Sequence, residues 1–287
     1  MLIVTGASGK LGTLVVEALL RLVPAEKVGV SVRDPEKLTA LAARGVRVRQ
    51  GDYTDADSLR HAWEGVSRVL LVSSNARTSG TDPLKQHETA ITVAKELGAE
   101  RIFYTSQASS SAQSQFPPAR DHAATEAMLA ASGLAWTALR HGFYAESAMG
   151  MNAQGFASGK LVGPEDGKVA WATHEDLAEA DARLLAGQEV FEGATPPLTG
   201  SESLDLADLA QIASTLTNRM VTRELISENT LLQNLENSGM SAPVKSVILG
   251  YYRAAQAGEF AVVDPTLARI LGRDPSLMRD VLTRALA

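Results

Sequence analysis

Three glycines at a three-residue spacing stand at the very start of the chain. The stretch Thr5-Gly6-Ala7-Ser8-Gly9-Lys10-Leu11-Gly12 follows the apolar run 2–5 and opens an amphipathic run, 10–22. A strand that passes through such a loop into a helix needs a tight turn at Gly6. It needs an open backbone at Gly9, and close contact of helix with strand at Gly12. The helix start then offers free N–H groups and a partial positive charge to a phosphate. A glycine-rich turn without a ligand has the same composition. The position between strand and helix is what favours a pyrophosphate. Expected cofactor contacts are Gly6, Ala7, Ser8, Gly9, Lys10 and Leu11.

The rhythm after the loop agrees with this start. Short apolar runs at 2–5, 28–32, 46–49, 69–72, 102–105 and 135–139 read as buried strands. Helical patterns lie between them at 10–22, 35–43, 56–64, 83–97 and 120–131. Asp34-Pro35 and Asp55 read as helix starts, and Gly45, Gly98 and Gly133 as helix stops. Alternation of this kind predicts an α/β fold, a Rossmann-type doubly wound parallel sheet. From residue 141 a glycine-punctuated stretch gives way to a strand at 169–173, a helix at 174–185 and an extended piece near 221–226. The expected organisation is a dinucleotide-binding domain over 1–140. A smaller, mainly helical C-terminal lobe over 141–287 follows, interleaved with the sheet and packed over its end.

The end of the second strand bears on the cofactor. A carboxylate there accepts from the ribose hydroxyls of NAD, whereas a guanidinium suits the 2′-phosphate of NADP. The strand ends at Arg33, with Lys10 and Lys37 as further positive charge, so NADPH is expected over NADH. Asp34, one residue on, is the rival observation, and a solvated surface role for Arg33 is the alternative. Asp52-Tyr53 after the third strand suits the adenine. Ser73, Ser74 and Asn75 end the fourth strand, and Ser106 and Gln107 end the fifth, on the side expected for the nicotinamide. Each is otherwise a polar strand terminus of the common kind.

Composition narrows the partners. The 287 residues are 45% hydrophobic and 21% charged with net charge −6, so no basic face for nucleic acid or an anionic membrane is expected. There is no cysteine, which removes disulfides and thiol nucleophiles. No apolar run has membrane-spanning length, and no basic leader precedes the first strand, so a cytoplasmic monomer or homodimer is expected. His61, His87, His122, His141 and His174 have no paired ligand spacing, so no metal site is expected. No G-x-S-x-G elbow occurs.

The motifs together resemble the atypical short-chain dehydrogenase/reductases of the NmrA-like group. Within it they are most similar to the type 2 NAD(P)H:quinone oxidoreductases and the triphenylmethane reductases. The carrying segments are TGASGKLG, SVRDPEK at 31–37, VRQGDYTD at 48–55, LLVSS at 70–74 and Gln86-His87. They continue with FYTS at 103–106, HAATEAMLAASG at 122–133 and LRHGFYAES at 139–147. The resemblance implies a reductase that passes hydride from NADPH to a quinone or related conjugated aromatic acceptor. It implies that the lobe after residue 140 covers the nicotinamide. The superfamily's Tyr-x-x-x-Lys pair is absent. The corresponding helix carries His122-Ala123-Ala124-Thr125-Glu126, as in those quinone reductases. They tend to have Asn at the position of His141 and Trp at that of Phe143, a departure that leaves the acceptor open.

A hydroquinone anion is a stable enough product that no strong general acid is required, and positioning beside the nicotinamide contributes most. Candidate acids or oxyanion donors are His122, His141 and Tyr144. Gln107, Phe116 and Phe143 are candidates for the substrate pocket, with core packing the alternative for the rings. Glu126 is expected to bond to the Ser-rich loop 107–119, a candidate lid, with Arg140 in the same network. Two other functions stay open. One is a redox tailoring enzyme acting on a polycyclic aromatic biosynthetic intermediate. The other is a non-catalytic NADP-sensing regulator.

Overall fold

The computed structural model describes residues 1–286. The strands and helices follow the hydrophobic pattern closely. In chain order they are β1 (Leu2–Thr5), α1 (Lys10–Leu19), β2 (Val28–Val32), α2 (Thr39–Ala43), β3 (Arg47–Gln50) and α3 (Ala56–Ala62). Next come β4 (Arg68–Leu71), α4 (Pro83–Glu96), β5 (Arg101–Gln107), α5 (Pro117–Ser132) and β6 (Trp136–His141). The second part of the chain forms β7 (Phe143–Tyr144), α6 (Ala145–Ser158), β8 (Lys160–Gly163), β9 (Val169–Ala172), α7 (His174–Leu185), β10 (Gly193–Ala194) and β11 (Ser203–Leu204). It ends with α8 (Leu206–Thr217), β12 (Thr222–Leu225), α9 (Glu228–Asn237), α10 (Ala242–Gln256), α11 (Thr266–Leu271) and α12 (Met278–Leu286).

Local chemistry sets several boundaries. Asp55 caps α3 by accepting from the amides of Asp57 and Ser58, and Asp82 caps α4 ahead of Pro83. Gly133 takes φ 80° and ends α5. The helix expected over 35–43 splits instead into a 3-10 turn, Pro35–Leu38, and the short α2. Asp34 makes no cap bond there, and its carboxylate turns to Lys37 at 3.4 Å.

The chain forms two compact units. The first holds Met1–Ser106, Asp121–Arg140 and His174–Pro196. Its seven-stranded sheet runs β10-β6-β5-β4-β1-β2-β3, and the registers from β3 through β5 are parallel. This is the doubly wound order, with the reversal between β1 and β4. Ile3, Val69, Leu71, Ile102 and Tyr104 face one side and share a core with Leu59, Trp63, Ile91 and Val93. On α1, α7 is the main packing partner. The 174–185 helix therefore belongs to the sheet-bearing unit rather than to the second lobe. Its apolar stripe, Leu177, Ala178, Leu184 and Leu185, is buried there, and β10 follows it onto the edge of the sheet beside β6.

The second unit holds Gln107–Arg120, His141–Thr173 and the chain from Pro197 onward. It carries the sheet β11-β9-β7, the pair β12-β8 and most of the later helices. Phe143, half-buried, packs against its core, with ring centroids 5.1–5.7 Å from Phe116, Trp171, Tyr251 and Phe260. Among the described residues no helix is long and apolar enough to cross a membrane.

Candidate cofactor site

The site lies in the first unit, at the carboxyl ends of β1, β2 and β4, where the strand order reverses. A cavity of about 560 Å³ there is lined by the glycine turn, the end of β2, the turn after β3 and the segment after β4. Its size falls in the ordinary range of cofactor pockets, about 300–1,000 Å³.

The turn is built for close approach. Gly6 takes φ 60°, a conformation that a side chain strains, and its amide bonds the Ser31 carbonyl at 3.2 Å. A Cβ on Gly12 would lie 2.3 Å from the Gly6 carbonyl oxygen, so only glycine lets α1 start this near β1. Gly9 caps α1 with no side-chain bond, and the first turn of α1 has no acidic residue. The amides at the start of α1 thus face the cavity mouth without an internal anion, which suits a pyrophosphate. Gly6, Ser8 and Gly9 line the cavity. Ala7 is fully buried, Leu11 is turned into the core and Lys10 is exposed away from the lining.

The two candidate cofactor selectors at the end of β2 behave differently. Arg33 is exposed, lines the cavity and forms no ion pair among the described residues. Asp34 is outside the lining and paired with Lys37. An uncompensated guanidinium beside the cavity attracts a phosphate rather than a diol. Asp52 lines the cavity too. Its Oδ1 accepts from the amide and hydroxyl of Thr54 at 2.8 Å, which leaves Oδ2 for a ligand. The Tyr53 hydroxyl is fixed beneath, 2.5 Å from Thr5 Oγ1 and 2.8 Å from the Val72 carbonyl, and burial raises its pKa.

Ser73, Ser74 and Asn75 form the wall after β4. Buried Thr105 holds Ser73, accepting from its amide at 2.8 Å and donating to its hydroxyl at 3.2 Å. Ser74 donates its hydroxyl to Gln86 at 2.5 Å and its amide to His87 Nε2 at 2.9 Å. Ser31, Val32, Gly51, Val72, Ala76, Ser79, Thr81 and Gln86 also line the cavity and were not expected from sequence. Ser31, Val32, Gly51, Val72 and Gln86 lie within the segments that carry the resemblance, whereas Ala76, Ser79 and Thr81 carried no signal.

The α5 positions that replace the Tyr-x-x-x-Lys pair turn their polar groups inward. Asp121 pairs with Arg77. His122 Nδ1 lies 2.8 Å from the Tyr104 hydroxyl, and Thr125 Oγ1 lies 2.9 Å from His87 Nδ1. Glu126 accepts from Ser106 at 2.6 Å and from Arg140 at 2.7 and 3.1 Å. Its partners are therefore these two residues of the first unit, not the 107–119 loop: the side chain points at the end of β5 and at β6. None of these α5 residues lines the cavity, and neither does Ser106, which is buried against Glu126.

The remaining candidates lie in the second unit. His141 is buried, with Nδ1 3.4 Å from the hydroxyl of half-buried Tyr144. Gln107 accepts from the Ser109 hydroxyl. Phe116 and Phe143 sit in the aromatic core, so packing describes the ring contacts that they make. The far end of loop 107–119 is tied down, because Glu259 accepts from the Ser114 hydroxyl and from the Gln115 amide at 2.9 Å. These bonds anchor the far end of the loop, while residues 107–113 make no bond to Glu259.

A parallel sheet of this order, with a glycine turn at its reversal point, defines a Rossmann-type dinucleotide-binding protein. Comparison gives the family. The family described as NAD(P)H-binding matches residues 6–186. Quinone oxidoreductase 2 of Escherichia coli is 34% identical over 281 residues, covering 98% of this chain and 96% of that protein. The structure of the NADPH-dependent quinone oxidoreductase QOR2 of Escherichia coli with NADPH superposes at TM-score 0.92, with 32% identity over 100% of both chains. Triphenylmethane reductase of Citrobacter sp. with NADP(H) gives 0.89 and 31%, over 99% of this chain and 100% of that one. The chain belongs to the NAD(P)H-binding family, in its NmrA-like group.

Proposed function

We propose that this protein is an NADPH-dependent reductase that transfers hydride to a quinone or related conjugated aromatic acceptor. The observation that carries the reading is Arg33, an unpaired guanidinium on the same cavity as the glycine turn. The similarity to quinone oxidoreductase 2, and to structures holding NADPH or NADP(H), supports it. The amides at the start of α1 and the turn Gly6 to Gly9 hold the pyrophosphate, Arg33 the 2′-phosphate, and Asp52 with Tyr53 the adenine. Ser73, Ser74 and Asn75 form the wall toward the nicotinamide.

Bound NADPH supplies the hydride. The acceptor carbonyl then gains negative charge and needs one proton. Tyr144 is our candidate for the group that donates a hydrogen bond to that oxygen, because the residue is only half-buried. His141, buried with Nδ1 3.4 Å from the Tyr144 hydroxyl, is a positioning residue. His122, bonded to Tyr104, is the second candidate on the first unit. A hydroquinone anion is a weak base, so loss of Tyr144 slows turnover without abolishing it. A cytoplasmic monomer or homodimer completes the proposal.

Loss of NADPH absorbance on addition of 1,4-benzoquinone or an anthraquinone tests the reading directly. Turnover with these acceptors is the expected result. Tight NADPH binding with no turnover on any quinone, azo or triphenylmethane acceptor would refute it and favour an NADP-responsive regulator.

A further inference from the structure

His87 is fully buried on α4, outside the cavity, yet both its ring nitrogens are committed. The Ser74 amide can only donate, so Nε2 accepts, at 2.9 Å. Nδ1 therefore carries the proton and donates to Thr125 Oγ1, also at 2.9 Å. The Thr125 hydroxyl donates in turn to the Asp121 carbonyl at 2.9 Å. One tautomer satisfies all three bonds, and each donor has one acceptor. The circuit closes on the cavity again, because the Asp121 carboxylate holds Arg77. Ser74 and Arg77 bracket Asn75 and Ala76, which line the cavity.

We propose that His87 is a positioning residue for the cofactor: it sets the wall at Ser74 to Ala76 by relaying the position of α5 through Thr125. The relay gives the Thr of the His-x-x-Thr-Glu sequence a task. In place of a proton-transfer pair, the helix holds the wall against which the cofactor lies. Gln86 acts from the neighbouring position, holding the Ser74 hydroxyl while His87 holds its amide. A substitution at His87 therefore acts on cofactor affinity and leaves the acceptor's own contacts alone. This inference rests on the reading of the cavity as the NADPH site.

The test uses the full-length protein, with NADPH fluorescence titration for Kd and steady-state kinetics with 1,4-benzoquinone. His87→Asn keeps a donor near Thr125 but removes the acceptor that reaches Ser74. It should raise Kd and KM for NADPH about 10-fold, the upper end for one buried hydrogen bond. At saturating NADPH, kcat and the quinone KM should stay within about twofold of wild type, since no group at the reacting atoms is altered. His87→Gln carries an amide oxygen far enough out to accept from Ser74 and should recover most of the affinity. Thr125→Val should weaken binding about threefold and Thr125→Ser restore it, which keeps the test open if His87→Asn does not fold.

Unchanged NADPH affinity in both His87→Asn and Thr125→Val overturns the proposal. So does a loss in which kcat and both KM values move together with melting temperature, the pattern of a merely structural residue. If wild-type protein fails to bind NADPH, the reading of the cavity falls and the proposal with it. If wild type binds and the variants bind equally well, only the proposal falls.

Discussion

Gly12 stands so close to Gly6 that a Cβ on it would lie 2.3 Å from the Gly6 carbonyl oxygen and 2.8 Å from its carbon. Both atoms belong to backbone and cannot rotate away. The contact joins the first turn of α1 to the end of β1, and the cofactor site hangs on it. Gly9 differs: its added Cβ would meet only the same oxygen, at 3.3 Å, and its φ of −88° suits any residue.

The two glycines should therefore separate folding from binding. Gly12→Ala is expected to lower the free energy of unfolding by about 1–3 kcal/mol, the range for overpacking. It should also weaken NADPH binding, because the turn must shift. Gly9→Ala should unfold at nearly the wild-type urea concentration, yet bind NADPH at least about tenfold more weakly, because its methyl group faces the pyrophosphate. Equal urea midpoints for wild type and Gly12→Ala would contradict the packing argument.

Arg33 should decide between the two cofactors. Its removal takes away charge-assisted bonds to the 2′-phosphate, about 1.5–3 kcal/mol. Arg33→Ala should then cut kcat/KM for NADPH about 10- to 100-fold and leave that for NADH little changed, which follows from the same energies. The ratio of the two kcat/KM values is the measurement. A ratio near one in wild type, unmoved by Arg33→Ala, would sink the assignment.

His87 should make stability depend on pH. Burial, followed by the charge of His122, lowers its pKa from 6.5 to about 3, while Asp82 opposes the shift. Between those values the unfolded chain binds a proton that the folded chain does not. Stability should be level above pH 6.5 on this account and fall as pH drops through the window. The slope from this one group is up to about 1.4 kcal/mol per pH unit. Urea midpoints near neutral pH and near pH 5 should differ less in His87→Gln than in wild type. An identical difference would show that His87 does not titrate in this way.

The pair of Glu126 and Arg140 should matter for folding and not for the cofactor. Glu126 is almost buried, while Arg140 is about one-third exposed. Glu126→Ala leaves the guanidinium unpaired and the Ser106 hydroxyl without its acceptor. The cost should be about 1–3 kcal/mol, between the limits for exposed and buried pairs. NADPH affinity should stay at the wild-type value, since neither residue lines the cavity. A large change in Kd with unchanged stability would reverse the assignment.

Much of this was legible along the chain. Apolar runs of four or five residues and 3.6-residue periodicity are local, so β1, β2, β5 and α7 fall within two residues of their expected limits. The glycine turn, Arg33, Asp52 and the serines after β4 also declare themselves, because the ends of parallel strands meet at one edge by topology. Position within a turn did not separate contact from support. Ala7 and Leu11 follow the same motif as Gly6 and Ser8 but are buried outside the lining.

Other features had no signature in the sequence. Ser79 and Thr81 reach the cavity only because the segment after β4 turns back over it. The second crossing of α7 into the sheet-bearing unit depends on which helix α1 packs against. The His-x-x-Thr-Glu residues read as a replaced catalytic motif, and whether such side chains face a cavity or each other is settled by the packing of α4, α5, β5 and β6. By itself the sequence determined a dinucleotide fold and its phosphate turn, because strand, turn and helix preferences act between near neighbours. Tertiary structure alone decided that α5 wires the cavity wall, because those hydrogen bonds join residues 38 and 44 positions apart, His87 with Thr125 and Arg77 with Asp121.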